Sequence, residues 1–136
     1  MSERRVQAWV NVAAIERNCA RLSTELHGGA ALCAVVKADG YGHGAAPSAR
    51  AALTGGASWL AVAGAHEASE LREAGLSDPP ILVMGALTPV ELEEALAADT
   101  DVVLWKQSFM DTVAAAGGGR VHVKLDSGMG LSLIHI

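Results

Sequence analysis

The chain has 136 residues, 51% hydrophobic and 18% charged, with a formal net charge of −5. That length suits one domain or part of a larger one, and the balance excludes a disordered chain. The acidic balance, with no Lys/Arg cluster, excludes a nucleic-acid footprint, and no apolar stretch reaches the roughly 18 residues that cross a bilayer.

The opening, "MSERRVQAWVNV", has basic residues but no apolar core behind them, which predicts no secretory signal and a cytoplasmic protein. Ile15, Cys19, Leu22 and Leu26 then recur at helical spacing and predict an amphipathic first helix. "LCAVVK" (Leu32–Lys37) reads as the first strand, with Cys33, Val35 and Lys37 on one face and Ala34 and Val36 on the other. "SWLAVA" (Ser58–Ala63) and "PILVMG" (Pro80–Gly85) are the second and third strands. "TPVE" (Thr88–Glu91) then places Thr as N-cap, Pro in the first turn and Glu at the reciprocal capping position. "DVVLW" (Asp101–Trp105) is the fourth strand, and "SFMD" (Ser108–Asp111) repeats the cap before a helix that Gly117–Gly119 ends. "RVHVKLD" (Arg120–Asp126) is the fifth, with Val121, Val123 and Leu125 opposite His122, Lys124 and Asp126.

A new strand begins every twenty residues or so, about the length of a strand plus its crossover helix. The repeat predicts an α/β fold on a parallel sheet, and both an open doubly wound sheet and a barrel fit it. In either, functional residues belong at the carboxyl ends of strands, where Lys37 and Asp126 fall. A barrel would pack the apolar face of "RVHVKLD" on helices and turn the polar face into its mouth; a half-exposed edge strand fits equally. Cys19 and Cys33 are isolated thiols without metal spacing, so the expectation is two buried structural cysteines in a reducing compartment and no metal site. Abundant Ala and Gly predict close helix–sheet packing.

Three readings fit "KADGYGHG" (Lys37–Gly44). One is a surface turn, with a solvated lysine and glycines at unusual backbone angles. Another is a dinucleotide loop, since Gly40, Gly42 and Ala45 satisfy G-x-G-x-x-A. Against it, Lys37, Ala38 and Asp39 separate the first glycine from the strand, and Asp39 would face a pyrophosphate. The third is covalent: a lysine on a rigid strand end, sheltered so that its amine is neutral, can form a Schiff base with an aldehyde. The glycines then let a ligand approach the backbone, and the Tyr41 hydroxyl can meet an anionic group.

"AVVKADGYGHG" closely resembles the pyridoxal phosphate (PLP) attachment signature of bacterial alanine racemases. The likeness extends from about Val6 to Gly130, through "SWLAVAGAHEASELREAGLSDPPILVMG" and "VHVKLDSGMG". It implies a PLP-binding (β/α)8 barrel of the TIM type, of which this chain holds roughly the first half, followed in the family by a β-rich C-terminal domain that is absent here. It implies a homodimer that racemises alanine, a small amino-acid substrate, to supply D-alanine for peptidoglycan in the cytoplasm. Lys37 would be both the covalent cofactor attachment and one of two acid–base groups, and Tyr41 would contact the phosphate. The opposing group in the family is a tyrosine of the second subunit, and Tyr41 is the single tyrosine here. Lys124 matches a position carboxylated in part of the family, although an ordinary cation suits it too. His43 is expected to brace the loop by hydrogen bonding, and His66 and His122 receive no role.

After "DSGMG" the family continues Arg-Leu-Gly, whereas Leu131 stands at the arginine position here. Residues 1–130 are therefore expected to be the N-terminal part of the barrel domain, with Leu131–Ile136 a non-native tail and the chain inactive by itself. A racemase of serine or lysine, or a non-catalytic PLP-binding barrel, also carries this signature.

Overall fold

A computed structural model describes residues 6–130, so the expectation for Leu131–Ile136 lies outside the described residues. Five strands, β1 (Cys33–Val35), β2 (Trp59–Val62), β3 (Ile81–Val83), β4 (Asp101–Leu104) and β5 (Val121–Val123), form one parallel sheet. All five predicted strands are present. Each is shorter than its apolar run, because the ends of the runs continue into the loops.

The strand order is β1-β2-β3-β4-β5. An open doubly wound sheet reverses its order at a switch point. Here every strand lies beside its predecessor, the winding of a (β/α) barrel, and the five strands make up roughly the first half of one. The helices between strands are α3 (Ala45–Thr54), α4 (Ala65–Glu73), α5 (Pro89–Ala97) and α6 (Gln107–Ala115), preceded by α1 (Val12–Thr24) and a short turn, α2 (Lys37–Tyr41).

Strand alternation sorts the side chains by face. Val36, Leu60, Val62, Ile81, Val83 and Val102 point outward and form the buried core with Leu71, Leu92 and Phe109 of the helices. The other face carries a register row, Val35, Ala61, Leu82 and Asp101, one residue from each of β1 to β4. This inner face is concave. Trp59 on β2 and His122 on β5 meet edge to face at 5.7 Å between ring centroids, although three strand spacings in a flat sheet come to roughly 14 Å.

Ala49, Ala65, Ala68 and Ala95 are buried in the core with the strand side chains, the close helix–sheet packing the composition predicts, and a glycine serves the same end between helices. A Cβ on Gly55, at the end of α3, would run into the Glu16 carbonyl of α1. Three local expectations are corrected. Of the predicted stripe, Ile15 and Cys19 of α1 are half-buried, but Leu22 and, just past the helix end, Leu26 stay exposed, because α1 packs chiefly on α3. Cys33 is exposed, since it belongs to the inner face of β1 at the sheet edge. Ser108 does not cap α6: the helix starts two residues earlier than that cap would place it, at Gln107 behind Lys106, and no side-chain cap bond forms. For β5 the sequence left two settings open, and among the described residues it is an edge strand: Val121 and Val123 lie opposite His122, as expected, and no helix covers them.

Candidate active site

Lys37 follows β1 by two residues and stands at the carboxyl end of the strands. The chain then does something unusual. Ala38 (φ 51°, ψ 52°), Asp39 (φ 51°, ψ 48°) and Gly40 (φ 62°, ψ 37°) wind left-handed, and Tyr41 (φ 56°) and Gly42 (φ 82°) stay at positive φ. Glycine accepts such angles freely and Asp tolerates them, but Ala38 and Tyr41 each carry a cost of roughly 1–2 kcal/mol.

Neighbouring bonds over-determine this turn. Gly40 N–H donates to the Val36 carbonyl at 2.9 Å, and Gly44 N–H to the Asp39 carbonyl at 2.9 Å. His43 Nδ1 donates to the Gly40 carbonyl at 3.0 Å, so His43 braces the loop in the way its place in the motif suggests. Asp39 accepts from Ala45 N–H at 2.8 Å through Oδ1 and satisfies the first turn of α3. Its carboxylate thus has a local structural partner.

The turn brings the two predicted residues together. Lys37 Nζ lies 6.0 Å from the centroid of the Tyr41 ring. Lys37 is half-buried and Tyr41 is 59% exposed. Among the described residues Lys37 has no carboxylate partner. Lys124 follows β5 at the same end of the sheet, where Nζ donates to the Met84 carbonyl at 3.4 Å. It is a hydrogen-bonded cation at the rim.

Glu67, in the first turn of α4, is the residue that pattern reading passed over. Its Oε1 accepts from Ala38 N–H at 2.6 Å, and its Oε2 from Ala63 N–H at 2.7 Å and Gly64 N–H at 3.1 Å. Burial pushes this carboxyl up, but the three backbone donors outweigh it and hold the group below the usual glutamate range. The spacing in "GAHE" could have revealed the helix cap; nothing local in the sequence shows the reach to Ala38.

The sequence profile described as alanine racemase, N-terminal domain, matches residues 10–132. The chain belongs to the alanine racemase family. It is 41% identical over 130 residues to the alanine racemase of Desulforamulus reducens, covering 92% of this chain and 35% of that protein. It is 45% identical over 131 residues to the alanine racemase of Beutenbergia cavernae, covering 93% of this chain and 34% of that one. Among solved structures, the alanine racemase from E. faecalis superposes with a TM-score of 0.84 at 37% identity, covering 92% of this chain and 35% of that chain. The alanine racemase of Streptomyces coelicolor A3(2) gives 0.80 at 39% identity, with 90% and 34% covered. The chain thus spans about a third of the length of the curated relatives it matches. Membership agrees with the barrel-type winding and with the signature in which Lys37 lies.

Proposed function

We propose that this chain is the lysine-bearing part of a PLP-dependent racemase that interconverts L- and D-alanine. The observation that carries the reading is an amine, Lys37 Nζ, at the carboxyl end of β1 beside a phenol and without a carboxylate partner among the described residues. The donor set suits pyridoxal phosphate: a primary amine for its aldehyde and a tyrosine hydroxyl for its phosphate.

Lys37 would hold the cofactor through its amine, and Tyr41 would meet its phosphate through the phenol hydroxyl. When bound, the cofactor supplies an electron sink that acidifies the substrate Cα. Lys37 Nζ carries the proton on one face of that carbon, and its place on a strand end keeps it there. The proton on the other face requires a second group, which the family resemblance assigns to a tyrosine of a second subunit. Tyr41, committed to the phosphate, does not serve. The working protein is then a cytoplasmic homodimer supplying D-alanine for peptidoglycan, with residues 1–130 as the N-terminal part of its barrel domain. Among the described residues no helix is long and apolar enough to cross a membrane.

The test is chemical. Incubation with pyridoxal phosphate, borohydride reduction and peptide mapping are expected to place the label on Lys37, and Lys37→Ala is expected to abolish it. Label spread evenly over Lys37, Lys106 and Lys124 would overturn the reading.

A further inference from the structure

We propose that Glu67 is a positioning residue for Lys37: one carboxylate ties the backbone directly after the lysine to the loop between β2 and α4, and so fixes where the amine stands. This inference rests on the function proposed for Lys37.

The geometry is that of a clamp. Oε1 takes Ala38 N–H at 2.6 Å, while Oε2 takes Ala63 N–H at 2.7 Å and Gly64 N–H at 3.1 Å. Glu67 itself is anchored, because Ala65, Ala68 and Leu71 of α4 are buried against the sheet. Ala38 is the first left-handed residue after Lys37 and has no glycine's freedom there, so an external partner is needed to keep it in place. All three contacts are donors. A carboxylate can accept at both ends, whereas an amide turns an N–H2 group toward one of them.

A second glutamate in the same molecule shows that the reach is particular to this site. Glu91 occupies the equivalent position in the first turn of α5, and among the described residues its Oε2 accepts from Thr88 N–H and Thr88 Oγ1–H alone, both at 2.8 Å. It caps its own helix. Glu67 caps its helix and also holds the preceding βα loop.

Three variants separate these roles: Glu67→Gln, Glu67→Asp, which keeps a carboxylate in the α4 turn but is a methylene shorter, and Glu91→Gln as the capping control. Each is compared with the parent chain for amide hydrogen exchange at Ala38 and for the initial rate of borohydride-trapped pyridoxal phosphate at Lys37. Both Glu67 variants are expected to speed Ala38 exchange and slow Lys37 labelling by about tenfold, the size of one lost hydrogen bond to a charged group. Glu91→Gln is expected to leave both at the parent level. Unchanged exchange and labelling in the Glu67 variants, or equal losses in Glu91→Gln, would overturn the positioning role. A parent chain that does not label Lys37 selectively counts against the proposed function instead, and the exchange measurement then decides the role of Glu67.

Discussion

Asp101 is the buried carboxylate among the described residues, and it meets two side chains, Arg120 just before β5 and His122 on it. Its Oδ1 accepts from Arg120 Nε at 2.5 Å and its Oδ2 from His122 Nε2 at 2.9 Å. Arg120 also reaches Asp99 at 2.9 Å, so one guanidinium ties the start of β4 to the start of β5. Burial pushes the Asp101 carboxyl up, but the bonds from Arg120 and His122 outweigh it and leave it below the usual aspartate range. A folded value below the unfolded one means stability that is present above the unfolded pKa and lost as the pH falls through the folded one. Asp101→Asn is therefore expected to cost about 2 kcal/mol at neutral pH, with the gap to the parent closing below about pH 4. Urea unfolding at pH 7 and pH 3 measures it. A gap that does not change with pH would rule out the charge as its source.

At the level of elements, the two capping motifs of the sequence separate cleanly. Thr88 accepts from Glu91 N–H at 3.3 Å and Glu91 returns the bond, which completes the predicted box on α5 with Pro89 in the first turn. Ser108 lies inside α6, where its carbonyl accepts from Thr112 Oγ1–H, and its own side chain caps nothing. Thr88→Ala is expected to lower stability by about 1 kcal/mol, whereas Ser108→Ala is expected to be neutral within a few tenths. Equal losses in thermal unfolding would show that Ser108 contributes to its helix start after all. The α2 turn is the element the sequence under-described. Gly40, Gly42 and Gly44 advertise positive φ, but nothing in "KAD" says that Ala38 and Asp39 share it, because bonds from elsewhere in the molecule hold them there.

At the scale of the whole molecule, five strands of a barrel leave apolar surface on show. On β5, Val121 is 42% exposed and Val123 70%, beside a strand edge that no other strand pairs with among the described residues. Such an edge invites pairing with a second copy. The 136-residue chain by itself is expected to self-associate as its concentration rises, and Val123→Lys to move it toward monomer in analytical ultracentrifugation. Sedimentation of the parent as a monomer throughout would refute this. By itself the chain is also expected to show no alanine racemisation, since on the proposed reading Lys37 would supply only one of the two acid–base groups. Turnover that Lys37→Ala abolishes, in a verified monomer, would contradict that division of labour.

The sequence by itself determined the alternation of strand and helix, the faces of each strand and the motif around Lys37. Those are local properties: backbone preference, period-two side chains and a lysine followed by spaced glycines all act within a few residues. Strand patterning left the winding open, the resemblance pointed to a barrel, and the tertiary structure decided it; the tertiary structure alone decided that Cys33 is exposed at the edge of β1 and that Ser108 is not a cap. It alone brought Glu67 to Ala38 and His122 to Asp101. These contacts join residues 21 and 29 positions apart across parallel neighbours. Their partners are set by strand order and by the curl of the sheet, which no short window of sequence carries.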